Sequence, residues 1–178
     1  MTTIYPNEST AYRAARNELL DAEKTLRAQM EKVAEMRRAL PPGGEAENYV
    51  FDSTDGPVTL SSLFADGKDS LCLYSLMFAP GAERPCPMCT AYLDGANGDA
   101  PHIAQKTNFA VVARAPIEEI KALADARGWN DLTLLSAANN TYATDYRTEA
   151  PDGSQLPLMN VFQKDGDVIR HFWASELF

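Results

Sequence analysis

Two cysteines separated by two residues are the part of this chain whose residue types and spacing could do chemistry. They form the stretch Cys86-Pro87-Met88-Cys89. The apolar run Leu71–Phe78 precedes them, and Thr90–Leu93 follows with the composition of the first turns of a helix. A strand that leads to a Cys-x-x-Cys at a helix start is the arrangement of a thiol–disulfide redox site. The sequence therefore predicts a redox-active dithiol, without naming a substrate.

The position of each thiol at a helix start predicts its role. The first backbone N–H groups of a helix lack acceptors, and the aligned peptide dipoles leave partial positive charge there. Both effects would stabilise a thiolate at Cys86 and lower its pKa. Cys89, one turn later, can attack a mixed disulfide formed at Cys86. Pro87 suits the first helical position, because its φ is fixed and it has no N–H. We expect Cys86 to attack and Cys89 to resolve.

Three further side chains are candidates for tuning or for metal binding. Arg84 would lower the pKa of Cys86 and Glu83 would raise it, and the sequence does not say which of them points inward. His102 either caps or packs near the motif helix, or tunes a thiolate if it faces the site. A zinc site built from Cys86, Cys89 and His102 is the rival hypothesis, but one cysteine pair and lone histidines fall short of the usual four ligands. We therefore predict no metal and no cofactor.

A long helix is predicted ahead of these elements, from Thr10 to about Leu40, and Pro41–Gly44 ends it. Apolar residues recur along it with the seven-residue repeat of a coiled-coil seam. They are Tyr12, Leu19, Leu26, Val33 and Leu40, with Ala15, Ala22 and Met36 at the intermediate position, where Gln29 interrupts. At ~1.5 Å per residue the helix would be roughly 45 Å long. It either wraps its own domain or crosses to a second subunit in a homodimer.

The remaining residues predict an α/β domain over 45–178, with 1–44 as a helical extension. We expect a central strand, the motif helix, two further strands joined by a helix, and a final hairpin. The sequence leaves open whether Asp94–Gly98 interrupts the motif helix. The predicted elements are the strands Leu71–Phe78, Asn108–Ala113 and Leu132–Leu135, a helix from Pro116 to Gly128, and the hairpin strands Leu158–Phe162 and Val168–Trp173. Parallel strands joined by helices, with an antiparallel edge, are typical of an α/β sandwich. The alternation of the last strand puts His171 on the surface or at an interface.

Composition and charge exclude several function classes. The 178 residues carry a net charge of -9 and no basic cluster, so nucleic acids and anionic membranes are poor partners. No apolar run reaches membrane-spanning length, and the N-terminal residues lack the apolar core of a secretory signal. Three cysteines do not make a secreted disulfide framework. We therefore expect a cytoplasmic protein.

Several segments resemble the DUF899 family of uncharacterised, bacterial, thioredoxin-like proteins. The match rests on Leu76–Pro80 followed by Cys86–Cys89, on Pro101-His102, on Ala113–Pro116 and on Gly128-Trp129. It covers roughly Val50 to Trp173, and the N-terminal helix is also similar to that of the family. The resemblance implies a thioredoxin-like mixed β-sheet flanked by helices and a redox role, but no known reaction.

The thioredoxin superfamily also implies a role for Pro157. There a cis-proline precedes the last hairpin and faces the Cys-x-x-Cys, and Pro157 matches its place. The resemblance implies a cis Leu156–Pro157 bond and a Leu156 backbone that pairs with an extended substrate, the alternative being a trans proline at an edge strand. The long loop before the motif, Pro85 and the Pro-Met dipeptide depart from thioredoxins, so redox potential and docking surface are not carried over. Glu83 stands where peroxiredoxins have a hydroxyl residue, which disfavours peroxidase chemistry.

These observations together predict a thiol–disulfide oxidoreductase. Its substrate would be a protein or a small-molecule thiol or disulfide, with no nucleic acid or membrane partner. The alternative is a non-catalytic module that keeps the thioredoxin fold for binding or assembly, or that serves as a passive redox sensor. In that case the long N-terminal helix would make the functional contacts.

Overall fold

The computed structural model describes residues 4–176 as two compact units, one ending at Pro41 and the other beginning at Pro42. The first unit contains α1 (Thr10–Arg38), as the sequence predicts. Ser9 caps its start, because the side-chain oxygen accepts the N–H of Tyr12 at 3.1 Å. No residue of α1 is buried. Within residues 4–176, no helix combines the length and the apolar character that crossing a membrane requires.

The second unit is built on one seven-stranded sheet with the strand order β2-β1-β5-β4-β3-β6-β7. Strands β3, β4 and β5 are parallel, and the others are antiparallel to their neighbours. The strands are β1 (Val50–Ser53), β2 (Gly56–Thr59), β3 (Ser70–Ser75), β4 (Asn108–Ala113), β5 (Thr133–Ser136), β6 (Met159–Asp165) and β7 (Val168–Ala174). The helices are α2 (Pro87–Ile103), α3 (Ile117–Arg127) and α4 (Tyr142–Asp145), with a 3-10 turn at Leu60–Leu63. The predicted α/β architecture is confirmed.

Both faces of the sheet are covered, which explains why the central strand is apolar on both alternations. Tyr74 belongs to one core cluster together with Leu93 of α2 and Ile120 of α3. Leu73 belongs to the other, together with Phe162 and residues of the 3-10 turn and α4. Because β3 pairs with β4 on one side and with β6 on the other, it is also an interior strand in the plane of the sheet. The dithiol therefore follows an interior strand that is covered on both faces.

Helix α2 runs unbroken from Pro87 to Ile103, so the interruption left open in the sequence does not occur. Contacts with the end of α3 and the residues after it hold this segment. Asp94 accepts hydrogen bonds from Arg127 and from Trp129 Nε1, the latter at 2.9 Å. Asn97 Oδ1 accepts the backbone N–H of Asp131 at 3.0 Å. These tertiary contacts offset the conformational cost of two glycines inside a helix.

A bulge in the final hairpin decides the orientation of His171. Val161 pairs with Trp173, whereas Phe162 pairs with His171, so one extra residue lies in β7. An extra residue shifts the alternation of side chains between the two faces of a sheet. The His171 ring consequently lies 5.4 Å from the Phe162 ring, and His171 Nε2 is 2.9 Å from Asn160 Oδ1. His171 is therefore half-buried, and its predicted place at the surface or at an interface stays a prediction.

The second unit begins with a segment that runs beside β7. Ala46 N–H donates to the carbonyl of Ile169, and His171 N–H donates to the carbonyl of Gly44, both at 2.9 Å. A Cβ on Gly43 would lie 1.8 Å from the His171 carbonyl oxygen, so this close approach of two backbones requires glycine. Residues 43–46 thereby cover the outer edge of the sheet.

Truncating the side chain that joins α2 to the sheet tests this packing. Leu93 is fully buried, and Leu93→Ala should lower the free energy of unfolding by about 2–5 kcal/mol, through lost burial and a residual cavity. Met88 lies on the same helix but is 81% exposed, so Met88→Ala should change it by less than about 0.5 kcal/mol. Urea denaturation in the presence of a reductant measures both variants. Equal effects for the two variants would contradict the packing described.

Candidate functional site

The loop after β3 returns to the end of its own strand and delivers the dithiol there. The carbonyl of Phe78 accepts the N–H of Ala115 at 2.9 Å, which fixes the outgoing part of the loop. The N–H of Cys86 donates to the carbonyl of Met77 at 3.0 Å, which closes the loop. Cys86 is the N-cap residue of α2, and Pro87 occupies the start of that helix as predicted. The dithiol thus lies at the carboxyl edge of the parallel strands.

The start of α2 stabilises the thiolate of Cys86. The Cys86 carbonyl already accepts the N–H of Thr90 at 3.0 Å, and no side chain caps the helix. The pKa of Cys86 is lowered, first by the backbone N–H of Cys89 and then by the Cys89 side chain and the backbone N–H of Met88, while burial opposes the shift. This agrees with the electrostatics of a helix start, where unpaired amides favour negative charge.

Cys89 has the opposite environment. It is 2% exposed and packs in the core between α2 and the sheet. Burial raises its pKa, the nearby Cys86 raises it further, and hydrogen bonds from Tyr74 and from the Met77 backbone lower it. Both cysteines are free thiols, and Cys86 is partly exposed. One turn of helix therefore holds an accessible thiol of lowered pKa and an enclosed thiol of raised pKa.

Tyr74 is a site residue that the sequence prediction did not include. It lies on β3 in the same core cluster as Cys89, and hydrogen bonding from its hydroxyl lowers the pKa of the Cys89 thiol. Its ring packs against that of Tyr92 with the centroids 4.6 Å apart. Burial and the adjacent Cys89 raise the pKa of Tyr74, so the phenol keeps its proton and remains a donor. The sequence signal was the alternation of side chains along the predicted strand Leu71–Phe78. Tyr74 and Leu76 fall on the same face of that strand, and both pack in the same core as Cys89.

The predicted tuning residues Glu83, Arg84 and His102 all lie on the exposed surface. Glu83 and Arg84 are exposed, and neither is among the groups that shift the pKa of Cys86. His102 is exposed near the far end of α2, 13 residues after Cys89, which is roughly 20 Å along a helix axis. The structure does not bring His102 to the thiols, so Cys86, Cys89 and His102 cannot share a zinc ion. Among residues 4–176, no three His, Cys, Asp or Glu side chains are grouped to hold a metal.

The segment around Pro157 lies at the end of β3, but its backbone groups form hydrogen bonds with other residues of the same chain. Ser75 N–H donates to the carbonyl of Leu158 at 2.8 Å. Leu156 N–H donates to the carbonyl of Thr148 at 2.9 Å, and the Leu156 carbonyl accepts the N–H of Leu158 at 3.0 Å. Both polar backbone atoms of Leu156 are therefore occupied, against the expectation that they pair with a substrate. No peptide bond in residues 4–176 is cis, so the predicted cis Leu156–Pro157 bond is wrong.

Removing the Tyr74 hydroxyl tests its contact with Cys89. Tyr74→Phe should raise the pKa of Cys89, because the thiolate loses a hydrogen-bond donor in a buried site. The ultraviolet absorbance of the thiolate, followed against pH in a Cys86→Ser background, measures the change. The matched control is Tyr92→Phe, whose hydroxyl is not among the groups that act on Cys89. An identical titration for both phenylalanine variants would contradict the assigned contact.

Comparisons with known proteins agree with the predicted family and fold. A family model described as "Bacterial protein of unknown function (DUF899)" matches residues 1–177. None of the curated proteins compared with the chain matches it. The solved structure of peroxidoxin BcpB from Mycobacterium tuberculosis is 20% identical with a TM-score of 0.56, and the match covers 76% of this chain and 85% of that chain.

Two further solved structures widen the comparison. AhpC from Enterococcus faecalis is 15% identical with a TM-score of 0.57, over 75% of this chain and 79% of that one. A secreted disulfide oxidoreductase from Mycobacterium tuberculosis, homologous to DsbE of E. coli, is 16% identical with a TM-score of 0.50, over 74% of this chain and 84% of that one. At these identities the likeness shows the fold alone, and it confirms the predicted thioredoxin-like fold.

Proposed function

The chain belongs to the DUF899 family of bacterial proteins of unknown function, and we propose that it is a thiol–disulfide oxidoreductase whose reactive pair is Cys86 and Cys89. One observation carries the proposal. Within a single helical turn, the accessible thiol has its pKa lowered and the buried thiol has its pKa raised. An attacking thiol needs access and thiolate character, whereas a resolving thiol has to be kept from substrate until a mixed disulfide forms beside it.

The reaction has two steps. The Cys86 thiolate attacks one sulfur of a substrate disulfide, forms a mixed disulfide with it, and releases the other sulfur as a thiolate. The proton of Cys89 passes to the released thiolate, and the Cys89 thiolate attacks Cys86 Sγ. An intramolecular disulfide forms and the second substrate sulfur leaves as a thiolate. Two electrons have passed from the dithiol to the substrate, and a second dithiol or thiol compound has to return them for turnover.

Tyr74 supports the second step rather than the first. Cys89 can attack only after it has lost its proton, and burial opposes that loss. The hydroxyl of Tyr74 donates to the sulfur and stabilises the thiolate at the moment when it is needed. Because the phenol itself keeps its proton, Tyr74 acts as a positioning residue and does not take part in the transfer.

The surface beside Cys86 indicates the kind of substrate that can reach it. Met88 is 81% exposed and Tyr92, one turn later on α2, is also exposed. Side chains four residues apart lie on the same face of a helix. They form a small exposed apolar area on the helix that carries the accessible thiol, which favours a disulfide flanked by apolar groups, as in a polypeptide. Small hydrophilic disulfides can still react, since Cys86 itself is partly exposed.

Single cysteine variants separate the two roles. Cys86→Ser should abolish disulfide reduction and form no mixed disulfide. Cys89→Ser should still form the mixed disulfide but hold it for lack of a resolving thiol, which intact-mass spectrometry detects as a stable adduct. Cys72→Ser is the control, because that thiol lies in β3 and burial raises its pKa, so activity should be unchanged. An active Cys86→Ser variant would refute the assignment.

The pH dependence of alkylation tests the electrostatic part of the proposal. Only the thiolate reacts, so the rate rises with pH and levels off above the pKa. Because the pKa of Cys86 is lowered, the iodoacetamide rate at Cys86 should reach half its plateau below the value of about 8.5 that is typical of free cysteine. Peptide mapping assigns the rate to Cys86. A midpoint above that of a reference peptide would contradict the role given to the helix start.

A further inference from the structure

Helix α1 presents an apolar seam most of whose residues are exposed, Val33 being half-buried. The exposed fractions of Tyr12, Leu19 and Leu26 are 57%, 53% and 62%. Most helices in folded proteins gain their stability by burying an apolar face, and a contiguous exposed one marks an interaction surface. We propose that a second copy of this chain covers the seam, and that the two α1 helices pair in antiparallel orientation. The proposal is independent of the chemistry assigned to the dithiol.

The sizes of the seam residues favour the antiparallel orientation. In a parallel pair each position meets itself, so Ala15 and Ala22 would form thin layers and Gln29 would face another Gln29. In an antiparallel pair the first apolar position of each heptad faces the intermediate position of the partner, so Ala15 and Ala22 each meet a larger residue and not another alanine. The resulting layers are Leu26 on the partner's Ala22, Val33 on the partner's Ala15, Leu19 on the partner's Gln29, and Tyr12 on the partner's Met36.

The charges that flank the seam favour the same orientation. A parallel pair would place Glu18 against the partner's Glu23 and Lys32 against the partner's Arg37, which are like charges. An antiparallel pair places Glu18 against the partner's Lys32, and two-fold symmetry repeats that contact. Its one like-charge contact sets Glu23 against the partner's Glu23, and each of these carboxylates is paired with Arg16 of its own helix. The ion pairs found along α1 in the described residues join other side chains and leave Glu18 and Lys32 available.

Sedimentation equilibrium of the reduced full chain tests whether the seam pairs. The wild-type protein should be a dimer. Replacing Leu19 and Leu26 together with Lys should weaken the dimer by roughly 100-fold or more, because unpaired charges would be buried in the seam. Leu20→Lys, a neighbouring change outside the seam, is the matched control and should leave the dimer intact. All variants should alkylate at Cys86 at the wild-type rate, which shows that the second unit remains folded.

Two results would overturn the pairing. One is a wild-type monomer at a concentration of about 100 μM, an outcome that would also follow if the seam were covered by the chain's own second unit. The other is a dimer that survives the double lysine variant. Either result removes the second copy as the occupant of this seam.

A charge exchange tests the orientation. In the antiparallel pair Glu18→Lys creates two Lys–Lys contacts, so the dissociation constant should rise by roughly 3- to 10-fold at low salt. Adding Lys32→Glu to the same chain should restore the wild-type value. In a parallel pair Glu18→Lys would instead meet the partner's Glu23 and tighten the dimer. A tighter or unchanged dimer in the single variant would refute the antiparallel arrangement.

Discussion

The hydrogen bond from Cys86 N–H to the carbonyl of Met77 is the constraint on which the rest of the site depends. It brings the loop after β3 back to the residue where it started. The first turn of α2 consequently begins at the carboxyl end of β3. Cys86 then caps the helix, and Cys89, one turn later, faces the strand at Tyr74. A loop that ended elsewhere would leave the same four motif residues without either the helix electrostatics or the core beneath them.

This placement makes two chemically identical groups different. The unpaired amides at the start of α2 favour the charged form of one sulfur, and the core between α2 and the sheet disfavours the charged form of the other. The proposed order of attack rests on this difference, since Cys86 is the thiol that is both reachable and lowered in pKa. Tyr74 moderates the cost at the buried sulfur, so that resolution remains possible. Access, charge and order of reaction thus have a common origin in how the strand meets the helix.

The sequence predicted those features that depend on local patterns. The apolar run before the motif predicted a central strand, although residues beyond Ser75 leave the strand as the chain enters the loop that returns to Met77. The Cys-x-x-Cys predicted a helix start and unequal thiols. What it missed depends on contacts between distant residues. Asp94 is held by Arg127 and Trp129 across to α3, and the bulge opposite Phe162 turns His171 toward the Phe162 ring. Neither contact leaves a periodic trace in the chain.

Redox titration of the reduced protein against a glutathione series tests the central claim most directly. The two thiols should form one reversible intramolecular disulfide between Cys86 and Cys89, identified by peptide mapping. Its reduction potential should lie between roughly −120 and −270 mV, the span of known thiol–disulfide oxidoreductases. Thiols that fail to pair, or that form only glutathione adducts at Cys86, would contradict the account. The dithiol would then serve structure or binding, and the thioredoxin-like fold would carry no exchange chemistry here.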